Sequence, residues 1–271
     1  MPELPEVETV RQTLRRKLIG KQIVDIDLIY PKIIKTDLRF FKENIINQTI
    51  LEVERIGKYL LIRLTDFYLI SHLRMEGKYF LRPVGLPRNK HDHIVFIFHD
   101  GTELRYNDVR KFGTMHLKDP QELFCGEPLE KLGFEPFDER FTLEYMKKKF
   151  KRNTSIKNVL LDQGVICGLG NIYVNEVLFL AKLHPERLAN TLSDEDLINI
   201  KEASINVLNK AIELGGTTIR SYYSDDNITG LFQTELMVHQ KANENCPHCQ
   251  SKIIKIKVGG RGTYYCPTCQ K

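Results

Sequence analysis

At 271 residues the chain is long enough for about two domains with cores of their own, and with 42% hydrophobic residues it has no apolar run approaching the roughly 18 residues of a membrane span. Its formal charge of +5 is mildly basic, while its first residues are too acidic for a signal peptide. Membrane and secreted classes are excluded on this reading, and a cytoplasmic protein, monomeric in the absence of an oligomerisation segment, is expected.

The chain opens Met1-Pro2-Glu3-Leu4-Pro5-Glu6-Val7-Glu8, after which Val7, Val10, Leu14 and Leu18 repeat at helical spacing. Two readings of this start coexist. Proline in a first turn and glutamates near a helix N-terminus are ordinary helix-starting chemistry. If Met1 is removed, however, Pro2 becomes a secondary amine flanked by carboxylates. An α-amino group titrates near 7.7 to 8.0, against about 10.4 for a lysine, so it is available as a nucleophile without desolvation.

From residue 22 the periodicity becomes that of strands. Residues 22–28, 51–53, 59–64, 68–73, 78–81, 94–98 and 102–106 are short β-type runs broken by turns such as Thr65-Asp66 and Asp100-Gly101, the pattern of an antiparallel sandwich or barrel. This N-terminal domain is expected to span residues 1–128. Between its strands stand Lys58, His72, Arg74-Met75-Glu76-Gly77, His91-Asp92-His93 and Asp108-Val109-Arg110-Lys111-Phe112-Gly113. Polar clusters repeated on loops point to a binding edge.

Residues 129–137, with Gly133 and Pro136, read as a linker. Helical periodicity follows over residues 141–150, 156–162, 171–183 and 193–214, within a domain expected to cover 138–234. Gln163 to Asn171 contains three glycines; it is either a tight interhelical connection or a place where backbone N–H groups meet a phosphate. Lys147, Lys148, Lys149, Lys151, Arg152 and Lys157 stand without an intervening acid, and so do the bases from residue 246 onward. Two such regions favour a polyanionic partner. Residues 217–233, without clear periodicity, read as a functional loop.

The last segment, residues 235–271, holds Cys246-x2-Cys249-x16-Cys266-x2-Cys269, the spacing of a tetrahedral thiolate site for one structural Zn2+. Between the cysteine pairs, Val258-Gly259-Gly260-Arg261 places Arg261 at the tip of a β-hairpin, preorganised to grip a phosphate. Cys125 and Cys167 stand apart as small apolar filler.

Taken together, Pro-Glu-Leu-Pro-Glu-Val-Glu at the start, Gly-Lys-Tyr-Leu around Lys58, His-Leu-Arg-Met-Glu-Gly, Lys-His-Asp-His, Arg-Lys-Phe-Gly, Gly-Leu-Gly-Asn-Ile-Tyr and the terminal four-cysteine module resemble the formamidopyrimidine-DNA glycosylases along the whole chain. The resemblance implies an α+β multidomain fold: an N-terminal β-sandwich with an N-terminal helix, a C-terminal helix-two-turn-helix domain and a zinc β-hairpin finger, with damaged double-stranded DNA held between domains. It implies catalysis by Pro2, which attacks the sugar C1′, and by Glu3, Lys58 and Arg261. DNA contacts are implied for His91, Arg110, Arg152, Lys157 and Asn171. Met75, Arg110 and Phe112 are implied to fill the space of an everted nucleotide. Glu6, Thr218 and Tyr222 are implied near the extruded base. The implied activity is removal of oxidised purines and cleavage at the resulting abasic site. An endonuclease VIII-like preference for oxidised pyrimidines and a noncatalytic zinc-dependent DNA binder are the alternatives.

Overall fold

In the computed structural model, which describes residues 1–217 and 230–271, the N-terminal repeat forms helix α1, Leu4–Leu18. Pro5 lies in its first turn, where an N–H has no helical partner to lose. Val7, Val10, Leu14 and Leu18 all face inward. Burying four such side chains is worth on the order of 10 kcal/mol before conformational entropy is counted.

The face that receives α1 is built from two antiparallel four-stranded sheets. One has the order β1 (Ile23–Leu28), β6 (Asp92–Phe98), β7 (Thr102–Asn107), β5 (Lys78–Pro83); the other has β2 (Ile50–Ile56), β3 (Tyr59–Leu64), β4 (Tyr68–His72), β8 (Thr114–Lys118). Ile94, Phe96, Phe98 and Leu104 from the first share a single core with Val53, Leu60, Ile62, Leu64 and Leu69 from the second and with the apolar stripe of α1. The expected sandwich is therefore present.

Two elements depart from the sequence reading. A short helix α2, Leu38–Ile45, interrupts the strand-rich region, capped by Asp37 Oδ1, which accepts the N–H of Phe40 at 2.9 Å. It buries Phe41 and Ile45 in the same core. Strand β8 follows the 108–113 loop cluster and lies beyond the last strand run read in the sequence, its buried Met115 and Leu117 alternating with half-exposed neighbours.

A second set of elements is helical: α3 (Leu143–Phe150), α4 (Ile156–Leu161), α5 (Asn171–Leu180) and α6 (Asp194–Glu213). Thr142, Ser155 and Ser193 cap α3, α4 and α6 through their side chains. α5 is apolar nearly all round and buries Tyr173, Val174, Val177, Leu178 and Phe179, so it is the central helix of this set. Beyond it, β9 (Ile254–Val258) and β10 (Arg261–Tyr265) form the terminal hairpin, with Gly259 and Gly260 both at positive φ in its two-residue turn.

The described residues divide into two compact units, residues 1–130 with 215–217 and 230, and residues 131–214 with 231–271. Helical region and finger thus belong to one unit: Phe179 of α5 shares a small core with Val238, Cys246, Ile253 and Cys266. Of the stretch read as a linker, Gly133 donates to the carbonyl of Gln163 at 2.8 Å and Phe134 bridges Ile166, so it lies against the α4–α5 turn. No helix among the described residues is long and apolar enough to cross a membrane.

Candidate active site

Pro2 and Glu3 are buried at the start of α1. Glu3 is the N-cap residue: its carbonyl accepts the N–H of Val7 at 3.1 Å, and its own N–H donates to Glu6 Oε2 at 2.8 Å. The other oxygen of Glu6 is engaged as well. Oε1 accepts both the backbone N–H and the hydroxyl of Thr217, at 2.8 and 3.0 Å. Glu6 is therefore an anchor between the turn that carries Pro2 and the residue at which the 217–233 segment begins. Thr218 and Tyr222 lie outside the described residues.

Lys58 belongs to the two-residue turn Gly57-Lys58 that joins β2 to β3, and it is 5% exposed. That turn is tied to α1 by an ionic relay. Arg55 donates to the Gly57 carbonyl at 3.0 Å and to Glu8 Oε2 at 3.1 Å, while Arg11 holds Glu8 Oε1 at 2.7 Å. Burial raises the Glu8 pKa, but hydrogen bonds from Arg11, Gln12 and Arg55 together bring it down to about 2. The relay is therefore charged at neutral pH, and it fixes the Lys58 turn relative to the helix that carries Pro2.

Beside this turn, His72 packs edge-on against Tyr59, with ring centroids 4.5 Å apart. Burial, reinforced by the positive charges of Arg74 and Lys58, pushes its pKa down to about 3. The imidazole is thus neutral. Its Nδ1 accepts the N–H of Arg74 at 2.9 Å, which leaves the proton on Nε2 as a donor.

Met75 sits half-buried in the turn after β4, and Arg110 and Phe112 are exposed in the turn before β8. Phe112 is 52% exposed, so it is no core residue; the Arg110 guanidinium stacks 4.6 Å from its ring. Asp108, fully buried, organises this turn. Its Oδ1 accepts the Arg110 N–H at 3.0 Å and its Oδ2 the Gly113 N–H at 2.8 Å, while its carbonyl meets His93 Nε2 at 2.9 Å. Lys111 and Arg74, one in each loop, both adopt left-handed backbone at φ 57° and 53°. His91 is half-buried and held by its backbone, donating to Asn89 Oδ1 at 2.9 Å and accepting from the Asp108 N–H at 3.1 Å.

In the second unit the glycine-rich turn is held shut by one side chain. Gln163 Oε1 accepts the Gly168 N–H at 3.0 Å, and its Nε2 donates to the carbonyls of Leu161 and Leu169. Arg152 is ion-paired with Asp162 at 2.7 Å, each partner about two-fifths exposed, and so stays open to a stronger anion. Asn171 at the start of α5 donates to the Gly262 carbonyl of the hairpin at 3.1 Å. Arg261 is exposed as the first residue of β10, directly after the turn.

Lys157, implied above as a DNA contact, is 0% exposed, and its Nζ donates to Asn175 Oδ1 and Thr263 Oγ1, both at 2.8 Å, and to the Gly262 carbonyl at 3.3 Å. Its charge is used inside the unit to hold the strand that begins with Arg261. A lysine within a basic run carries no sign of such burial.

The hairpin is also held from its base. The four sulfurs of Cys246, Cys249, Cys266 and Cys269 lie within 4.8 Å of one another. Zinc–sulfur bonds of about 2.3 Å in a tetrahedron require sulfurs about 3.8 Å apart; the pairs Cys246–Cys269 and Cys249–Cys266 stand at 3.9 and 3.4 Å. The N–H groups of His248 and Cys269 point at Cys246 and Cys266 sulfurs, as thiolate ligands require. One structural Zn2+ fits this set. Glu176 secures the approach to it, accepting the N–H groups of Met237, Val238 and His239 at 2.7, 3.1 and 2.8 Å.

A sandwich with Pro2 at the start of its helix, a helical unit and a four-cysteine hairpin carrying Arg261 together match the class of base-excision DNA glycosylases. Three family descriptions match in order: the formamidopyrimidine-DNA glycosylase N-terminal domain over residues 1–115, the H2TH domain of the same enzymes over 132–223, and the zinc finger found in FPG and IleRS over 243–271. The chain is similar to the formamidopyrimidine-DNA glycosylases of Bacillus cereus and Oceanobacillus iheyensis, 49% identical to each, covering all of this chain and 99% and 98% of theirs. Solved structures of the Lactococcus lactis Fpg are also similar. Its complex with abasic-site DNA has a TM-score of 0.93 at 44% identity and covers both chains fully; its complex with Fapy-dG DNA has 0.91 at 43%, covering 99% of this chain and all of the other. The chain belongs to the formamidopyrimidine-DNA glycosylase family of DNA-repair glycosylases.

Proposed function

We propose that this chain excises oxidised purines, 8-oxoguanine and formamidopyrimidines, from double-stranded DNA and then cuts the strand at the abasic site. Once Met1 has been removed, the Pro2 nitrogen attacks C1′ of the damaged nucleotide. The N-glycosidic bond breaks, the base departs with its electron pair and a proton, and an iminium joins Pro2 to the opened sugar. Glu3 protonates the ring oxygen and later moves the protons of the eliminations. Loss of the 3′ phosphate by β-elimination and of the 5′ phosphate by δ-elimination cleaves the strand on both sides, and hydrolysis of the remaining iminium returns the amine.

Lys58 and Arg261 hold phosphates flanking the lesion and offset the charge that develops on the leaving groups. His91, Arg110, Arg152 and Asn171 contact the DNA backbone. Met75, Arg110 and Phe112 enter the stack where the damaged nucleotide leaves it, Arg110 facing the widowed cytosine. Zn2+ holds the hairpin and takes no part in the chemistry.

The observation that carries this reading is the buried Pro2-Glu3 pair, held at the start of α1 by the Glu6 and Glu8 networks. A helix needing only to start well does not require its N-terminus tied to a lysine-bearing turn and to a distant loop. The relatives that bind abasic-site and Fapy-dG DNA give it substrate context. Borohydride trapping on a duplex carrying 8-oxoguanine opposite cytosine, with peptide mapping of the adduct, tests it: the adduct is expected on Pro2. A correctly processed protein that binds this duplex yet traps nothing would leave a noncatalytic binder as the reading.

A further inference from the structure

Two of the loops read above as wedges meet at a single buried atom. Tyr106, on β7, is 0% exposed, pairs in register with Tyr79 of β5, and packs against its ring at 5.2 Å. Its hydroxyl lies 3.5 Å from Asp108 Oδ2, the oxygen that holds the Gly113 N–H. A Cβ added to Gly77 would stand 2.2 Å from that hydroxyl, and one added to Gly113 would stand 1.6 Å from it. Gly77 closes the Met75 turn by donating to the Leu73 carbonyl at 3.0 Å, and Gly113 closes the Arg110–Phe112 turn. One phenol oxygen therefore touches the backbone of both loops, which lead into strands of opposite sheets, Lys78–Pro83 and Thr114–Lys118.

We infer that the Tyr106 hydroxyl is a positioning spacer: it sets the separation of the Met75 loop from the Arg110–Phe112 loop, and so the register in which the two wedges enter DNA. This rests on the wedge reading given above. Protein interiors are packed so closely that an oxygen between two backbones has no substitute; its removal leaves a gap too small for water, and the loops lose their common stop. The phenol touches no reacting atom. Its effect falls on the step that empties the stack, not on the elimination chemistry.

The test compares Tyr106→Phe with the parent on two substrates. One is an 8-oxoguanine:cytosine duplex with 2-aminopurine beside the lesion, whose fluorescence rises as the wedges enter. The other is a single-stranded abasic oligonucleotide, which needs no wedge. Duplex cleavage and the fluorescence amplitude are expected to fall on the order of ten-fold, short of the roughly 100-fold that a 1 Å misplacement can cost, while the ratio to single-strand cleavage shifts by the same factor. Gly77→Ala, which presses the same contact from the loop side, is expected to move both readouts in the same direction and serves if the first variant is unstable. Phe112→Ala separates the two inferences. If Phe112→Ala keeps the full fluorescence change, the wedge reading fails. If Phe112→Ala loses it while Tyr106→Phe and Gly77→Ala keep both fluorescence and duplex cleavage at the parental level, the spacer role is overturned.

Discussion

Glu6 Oε1 accepts two hydrogen bonds from Thr217, a residue 211 positions away, while Glu6 Oε2 holds the Glu3 N–H beside Pro2. One carboxylate thus couples the turn that carries the proposed nucleophile to the start of the segment implied to recognise the lesion base. Glu6→Ala would leave two buried N–H groups without their acceptor, at about 1–3 kcal/mol each. Excision of 8-oxoguanine is expected to fall by at least ten-fold, about 1.4 kcal/mol in the barrier, and cleavage of a preformed abasic site by less. Steady-state kinetics on the two duplexes checks the difference.

Stripping zinc should act at Arg261, not at Pro2. Structural zinc supplies about 10–16 kcal/mol of apparent folding free energy in small finger peptides, so the chelated finger is expected to lose its hairpin while the sandwich persists. Hydrogen exchange should show β9 and β10 unprotected and β2 to β4 unchanged. Strand cleavage is expected to collapse, and retention of full cleavage without metal would contradict the role given to Arg261.

The Glu8–Arg55 pair, with side chains 12% and 10% exposed, lies on the path from α1 to the Lys58 turn. Arg55→Ala leaves Glu8 still held by Arg11 and Gln12 but removes a charged hydrogen bond, so it is expected to destabilise the protein by about 1.5–3 kcal/mol, read from urea unfolding. It should also lower trapping on abasic DNA, because the Gly57 carbonyl loses its donor and the Lys58 turn is released.

Acid sensitivity should begin with a histidine. Folded His72 titrates near 3 because of burial, against 6.5 for an ordinary histidine. Below about pH 6.5 the unfolded chain binds a proton that the folded chain refuses, so stability falls as pH drops from there towards 3, by about 1.4 kcal/mol per pH unit at most. Glu8 adds its loss only below about pH 4.5, down to about 2. Urea midpoints measured between pH 7 and 5 are expected to decline in the parent, and His72→Asn should reduce that decline, leaving the share of His116 and His239, whose burial likewise brings them down to about 4.

Much of the architecture is legible because it is written in periodicity. The stripe Val7, Val10, Leu14, Leu18 and the alternating strand runs appear where the residues put them, and the cysteine spacing specifies a cluster that the sulfur distances fit. Helix α2 is obscured by composition: Phe40, Phe41 and Ile45 read as strand residues, and only Asp37 ahead of them signals a cap. Strand β8 shows its alternation at Met115 and Leu117 but follows directly on a loop motif that masks it. Lys157, Asp108, Thr217 and Tyr106 are a different case. Their roles depend on partners brought close by folding, such as Thr263 for Lys157, and no local pattern encodes that.

Arg74 and Lys111 put an evolutionary reading on the two wedge loops. Each holds a left-handed backbone that costs a branched or long L-residue about 1–2 kcal/mol and glycine almost nothing. Selection for stability alone would favour glycine at both positions, yet the chain keeps two long cations there. Under the proposed function the strain at these two loops is offset by a polyanion that the cations meet, and glycine at either site is expected to leave a sturdier fold and a poorer enzyme.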